Sequence, residues 1–162
     1  MYLLILFLFS LVYSSIQDRS DQTIYIHLVP HSHNDPGWIY TFEEYYEGKD
    51  PKYCVKCELD TILSSMQANK NRTFSWSEIS FFKLWYQALS DEKKGIIKGL
   101  IKEKRFEIRG GAWVENDEGS VNYQGIIDQM RFGLSWLKEE FNLQVKTASL
   151  LDSFGKSVSN VK

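Results

Sequence analysis

The sequence predicts an α/β fold organised on a parallel sheet, and three observations carry that prediction. Four short runs of β-branched, aromatic and apolar residues alternate with segments of helical periodicity, the pattern that βαβ units leave in a sequence. The first run, Ile24-Tyr25-Ile26-His27-Leu28-Val29-Pro30, has few charges and suits a strand buried on both faces of the sheet. Polar and aromatic residues follow each run, at the carboxyl ends where parallel α/β folds place their sites.

In chain order, the first strand is expected over Thr23 to Pro30, followed by a helix from Cys54 to Ala68. The second strand, Thr73 to Trp76, leads into helical patterns at Phe81 to Leu89 and Asp91 to Lys104. Ser90 is an N-cap candidate for the latter, with Asp91 and Glu92 in its first turn and bases at its end, each matched to the helix dipole. A third strand, Phe106 to Arg109, precedes a long helix over Tyr123 to Phe141. That helix sets Ile126, Met130, Leu134 and Leu137 on one stripe, with Phe132 and Gly133 beside it. Val145 to Leu151 is the fourth strand.

A chain of 162 residues is long enough for one domain, and chains near that size bury roughly 70% of their unfolded surface. An apolar fraction of 43% favours a globular protein over disorder. The formal net charge of -2 leaves no electrostatic footprint for nucleic acid, so no nucleic-acid partner is expected. Lys93, Lys94, Lys98, Lys102, Lys104 and Arg105 do cluster, but on a helix whose apolar positions are Ile96, Ile97, Leu100 and Ile101, which reads as a solvated helix face.

Met1 to Val12 is almost wholly apolar, and Tyr13-Ser14-Ser15 supplies small residues before polar Gln17-Asp18-Arg19. The run suits a signal-peptide core and falls short of the roughly twenty residues of a spanning helix. Residues 1–15 are therefore expected to be a cleaved signal peptide and 16–162 the mature domain, with no stable membrane anchor; the lack of Lys or Arg before the apolar run leaves an uncleaved anchor as the alternative. Asn71-Arg72-Thr73 is a glycosylation sequon in a polar stretch and agrees with entry into the secretory pathway. Cys54 and Cys57 form a lone C-x-x-C without the second pair of a zinc site. In an oxidising lumen they are expected to be disulfide-bonded, to each other or to cysteines outside this chain.

The most informative stretch is His33-Asn34-Asp35-Pro36-Gly37-Trp38. In an extended segment residues i and i+2 point the same way, so His33 and Asp35 aim one nitrogen and one oxygen donor at a common point. The plain alternative is a capped turn with a surface histidine. His31, two residues earlier, is expected to hydrogen-bond locally.

Pro30 to Trp38, with Thr41-Phe42-Glu43-Glu44-Tyr45-Tyr46, resembles the N-terminal catalytic segment of the class II α-mannosidases, glycoside hydrolase family 38. Phe74-Ser75-Trp76-Ser77-Glu78-Ile79-Ser80-Phe81-Phe82, Gly111-Ala112-Trp113-Val114 with Asp117-Glu118, and Leu151-Asp152-Ser153-Phe154-Gly155-Lys156-Ser157 continue the resemblance in the family's order. It implies the N-terminal part of a parallel (β/α)7-type barrel, incomplete in this chain. It also implies a zinc-dependent retaining α-mannosidase acting on terminal α-mannosyl linkages of mannose-containing N-glycans.

Carried over residue by residue, the resemblance makes His33, Asp35 and Asp152 zinc ligands and makes Asp152 also the catalytic nucleophile. Trp38 and Phe154 match aromatic positions lining the sugar pocket. The family's fourth ligand and its general acid/base aspartate lie downstream of the stretch present here, so the chain alone is expected to be inactive. The family usually reads Asp-Pro-Phe-Gly-His-Ser where Asp152-Ser153-Phe154-Gly155-Lys156-Ser157 stands, and has an apolar residue where Glu115 stands. Lys156 either weakens zinc binding or lowers the pKa of a neighbouring carboxylate. These departures motivate a second reading, a non-catalytic truncated remnant that binds metal or sugar. A zinc-dependent carbohydrate deacetylase is a third, which the Asp35-Pro36-Gly37-Trp38 and Trp113-Val114 blocks do not favour. The short distance from Ser15 to Ile24 leaves no room for a stem, which suits a lysosomal or secreted protein better than a Golgi one.

Overall fold

A computed structural model of the chain describes residues 23–50, 52–115, 121–152 and 155. The expected signal peptide, Asp117, Glu118, Ser153, Phe154 and Lys156 lie outside the described residues. The elements are α1 (Phe42–Glu47), α2 (Val55–Ala68), β1 (Phe74–Trp76), α3 (Ile79–Ala88), α4 (Asp91–Lys102), β2 (Phe106–Ile108) and α5 (Tyr123–Phe141). The architecture is mixed α/β, with β1 and β2 parallel in the register Phe74 to Phe106, Ser75 to Glu107 and Trp76 to Ile108.

Two of the four expected strands are not formed as strands. From Thr23 to Pro30 the chain has no regular structure, and Ile24, Tyr25, Ile26, Leu28 and Val29 are exposed. Pairing begins only at its end, where Ser75 N donates to Pro30 O and Ser32 N to Ser75 O, both at 3.0 Å, in a parallel bridge of His31 with Ser75. Continuing that register backwards would set residues 24–28 opposite the turn that joins α2 to β1, which offers no ladder. Val145 to Leu151 lies beside β2 through one main-chain bond, Gly110 N to Thr147 O at 2.7 Å. Gly110 and Gly111, with φ of 69° and 72°, turn the chain away at that point and end the pairing. Side chains replace the ladder there: Thr147 Oγ1 donates to Glu107 Oε1 and Arg109 Nη1 to Ser149 Oγ.

Four segments therefore lie side by side in chain order: the His31 segment, β1, β2 and the Thr147 segment. Phe74, Trp76, Phe106 and Ile108 share one face and pack on the helices. Trp76, Phe81, Phe82, Phe106 and Leu59 are among the largest fully buried side chains of the core. Phe82 is its hub, with ring contacts to Trp85, Tyr86, Phe106, Trp136 and Phe141.

Helix α1 was not expected from the sequence. Thr41 caps it, accepting from Glu44 N while Glu44 Oε2 accepts from Thr41 N, a reciprocal capping box. Helix α2 starts after Cys54, whose Sγ accepts from Cys57 N, and Cys54 and Cys57 are disulfide-bonded to each other. Arg105 closes its other end, Nη2 donating to Met66 O at 2.6 Å and Asn69 O at 2.8 Å. Helix α3 begins two residues before the expected Phe81, because Ala112 O and Trp113 O accept from Ile79 N and Ser80 N. The long helix α5 has the expected bounds, but its buried face is Gly133, Trp136 and Leu137; Met130, Leu134 and Phe132 are exposed. Its close approach at Gly133 sets that face, since a Cβ there would stand 2.1 Å from Gly111 O.

Candidate metal and substrate site

Ser32, Ser77, Arg109 and Ser149 come from the ends of the four neighbouring segments, and a buried polar network ties them together. Arg109 Nη2 donates to Ser32 O at 2.5 Å and to Ser77 Oγ at 3.2 Å, while Nη1 donates to Ser149 Oγ at 2.6 Å. The Glu78 carboxylate accepts from Ser32 Oγ and Ser77 Oγ at 2.8 Å each and from Asn34 N at 3.1 Å. Glu78 is only 1% exposed, so these bonds replace the water it has lost. The result is a fixed base for the loop that runs from His31 to Trp38.

On that loop, His31 Nδ1 donates to Ser32 O at 3.0 Å, the local bond expected of it. His33 and Asp35 point the same way: His33 Nε2 lies 3.9 Å from Asp35 Oδ1. This exceeds hydrogen-bond length. Two ligands of one tetrahedral zinc stand roughly 3.4 Å apart at bond lengths near 2.1 Å, so a small movement brings the pair to ligand spacing. Pro36 and Gly37 then reverse the chain, with φ of 101° at Gly37 and Gly37 N donating to Asp35 O. The turn leaves Trp38 76% exposed.

His33, Asp35, Trp38, Glu115 and Asp152 line one open cavity of about 970 Å³. The structure thus brings together four of the five residues expected at the metal and sugar site, and Phe154 lies outside the described residues. His33, Asp35 and Asp152 offer one imidazole and two carboxylates, donor types that suit zinc, whereas the three donors that cluster within 4.8 Å among the described residues are those of His33, Glu78 and Glu115. Asn71 is exposed in the turn before β1, far in sequence from these residues.

Three contributors were not singled out as site residues from the sequence. Glu78 and Arg109 form the base described above. Glu115 stands 3.1 Å from His33 Nδ1 through Oε2, and its Oε1 accepts from Leu151 N at 3.3 Å. Donor atoms of His33, Glu78 and Glu115 all lie within 4.8 Å of one another. The one signal in the sequence was Glu115 itself, a charge in a stretch otherwise made of Gly, Ala, Trp and Val.

Beside the loop, burial raises the Glu58 carboxyl above the usual carboxylate range, against the hydrogen bond that its Oε2 accepts from Asn34 Nδ2 at 3.0 Å. Glu140 on α5 is held below the usual carboxylate range, chiefly by the hydrogen bond from Lys98, which is 2.9 Å away. Lys98 is raised by the same bond, and burial raises the Tyr86 phenol that also donates to Glu140.

Comparison with known proteins places this arrangement among glycosidases. The model of the family described as glycosyl hydrolases family 38 N-terminal domain matches residues 23–160. The chain is 39% identical over 132 residues to alpha-mannosidase 2 of Arabidopsis thaliana, covering 82% of this chain and 11% of that protein. It is 38% identical over 137 residues to lysosomal alpha-mannosidase of Bos taurus, covering 82% and 14%. With alpha-mannosidase C of Dictyostelium discoideum it shares 34% identity over 157 residues, covering 96% and 14%. The chain spans only a small part of the length of these relatives.

Proposed function

The chain belongs to glycosyl hydrolase family 38, and from that membership we propose that it contributes the zinc ligands, nucleophile and part of the sugar-binding wall of an α-mannosidase. The substrates are terminal α-mannosyl linkages of mannose-containing N-glycans, cleaved with retention. The convergence of His33, Asp35, Trp38 and Asp152 on one cavity is the observation that supports this reading. The parallel arrangement of four segments in chain order supports a further part of it, that they open a (β/α)7-type barrel.

In this reading His33, Asp35 and Asp152 hold a zinc ion together with a ligand from another part of a longer protein. When bound, the ion supplies a template for vicinal sugar hydroxyls and electrostatic stabilisation of developing charge. The Asp152 carboxylate attacks the anomeric carbon as the bond to the leaving oxygen breaks, giving a glycosyl ester. A second carboxyl about 5 Å away donates a proton to that oxygen and then takes one from the water that hydrolyses the ester. The exposed ring of Trp38 offers an apolar face to the sugar.

The Cys54–Cys57 disulfide and the exposed sequon at Asn71 support a place in the secretory pathway, with Asn71 glycosylated and the mature protein lysosomal or secreted. Among the described residues no helix is long and apolar enough to cross a membrane.

Two measurements test the proposal. Zinc uptake by this chain should be lost in His33→Ala and in Asp35→Ala. Mannoside hydrolysis by a protein containing the chain should fall by about a thousandfold or more in Asp152→Asn. A folded protein that contains the chain and takes up no zinc, or an Asp152→Asn protein with full activity, would overturn it.

A further inference from the structure

We propose that Glu115 is a positioning residue of this site, fixing the ring tautomer of His33 and holding the backbone beside Asp152 to the same point. The proposal rests on the reading of His33, Asp35 and Asp152 as zinc ligands. The nitrogen of an imidazole left free to bind a metal is decided by the hydrogen bond that the other nitrogen makes. An ionised carboxylate only accepts, so the contact of Glu115 Oε2 with His33 Nδ1 at 3.1 Å places the hydrogen on Nδ1. The lone pair is then on Nε2, the atom facing Asp35 across 3.9 Å. The Glu115 side chain is 8% exposed, so water competes weakly for this bond.

The other oxygen of the same carboxylate accepts from Leu151 N, the residue before Asp152. One side chain therefore joins His33 to the backbone next to Asp152, two stretches that are far apart in the sequence and otherwise share no described ladder. An apolar residue at this position, as the family resemblance implies is usual, would leave both donors to water.

A competing possibility is that His33, Glu78 and Glu115 themselves form a cation cage, since their donor atoms cluster within 4.8 Å. Hydrogen bonding opposes it. Glu78 already accepts from Ser32 Oγ, Ser77 Oγ and Asn34 N, and Glu115 accepts from His33 and Leu151. A cation there would meet N–H and O–H donors aimed at the same oxygens.

The test uses the full chain labelled with nitrogen-15 at histidine, metal-free in mildly alkaline buffer where imidazoles are neutral. Two-bond ring correlations report the tautomer, and the His33 signals are assigned by their loss in His33→Asn. The wild type should show Nδ1–H at His33. Glu115→Met should shift it toward Nε2–H, the form free imidazole side chains favour, and Glu115→Gln should shift it in part, because one amide cannot accept from both donors. Zinc affinity, read by competition with a chromophoric chelator, should fall about 10- to 100-fold in Glu115→Met, with the circular dichroism spectrum unchanged. An Nε2–H tautomer in the wild type, or an Nδ1–H tautomer unchanged in both variants, would overturn the proposal. Zinc binding abolished in Glu115→Met but unchanged in Asp35→Ala would favour the cage and overturn it equally. A tautomer response as described in a chain that binds no zinc supports the Glu115–His33 pairing and counts against the metal reading instead.

Discussion

Arg109 donates through Nη2 to the main-chain oxygen of Ser32, joining the end of β2 to the residue before His33. The same guanidinium reaches Ser77 and Ser149, so a planar fork holds three segment ends at once. An ammonium on a flexible stem cannot reproduce that geometry. Arg109→Lys should lower stability by about 2 kcal/mol, the cost of leaving buried acceptors short of partners. Urea unfolding followed by tryptophan fluorescence measures it, and a midpoint equal to wild type would show that the fork is dispensable.

Gly133 marks the closest approach of α5 to the chain after β2. A methyl group there meets Gly111 O at 2.1 Å and the Ala112 main-chain carbon at 2.8 Å, and neither is a flexible side-chain end. Gly133→Ala should destabilise the chain by about 3 kcal/mol. Helix propensity alone would give the opposite sign, about 1 kcal/mol of gain, so thermal unfolding decides between the two effects by direction.

Trp38 is exposed beside Asp35, so the role in sugar binding proposed for it can be separated from folding. Trp38→Ala should leave stability within about 0.5 kcal/mol of wild type. It should weaken mannoside binding by up to about tenfold, the worth of one ring contact. Calorimetric titration with a mannoside, run alongside a melting curve, checks both halves.

The Glu140, Lys98 and Tyr86 group gives the fold a pH signature. Glu140 has a folded pKa below its unfolded one, so its contribution is fully present above the unfolded carboxylate value and is lost as pH falls through the folded value. Lys98 is raised, so the same interaction is present below the unfolded lysine value and is lost as pH rises through the folded one. Glu140→Gln should therefore melt slightly below wild type at neutral pH and converge with it in acid. The effect stays small because the pair is partly exposed. Melting curves at several pH values would expose a constant difference, which would contradict this assignment.

The sequence carried the helices well, because their caps and periodicity are local. Asn122 opens α5 at the expected residue and Ser90 opens α4. Helix α1 carried an equally local signal, the Thr41-x-x-Glu44 box, which its short length hid. Strand extent was less legible, since an apolar run becomes a strand only where a partner lies alongside, and Ile24 to Val29 has none among the described residues. The juxtaposition of His33 and Asp35 followed from i and i+2 alternation. The contributions of Arg109, Glu78 and Glu115 did not, because each depends on residues tens of positions away that only the sheet brings together.

The sheet also sets an order in time. Each segment pairs with the one made just before it, so a chain emerging from the ribosome can add βα units one after another, each pairing closing a long crossover such as that from Phe74 to Phe106. Arg109 and Glu115 reach back to Ser32 and His33, and Ser149 and Leu151 reach back to Arg109 and Glu115. The loop bearing His33 and Asp35 is therefore made before Glu78, Arg109 and Glu115, the groups that hold it, and its setting is complete only after the chain through Glu115 has folded back onto it.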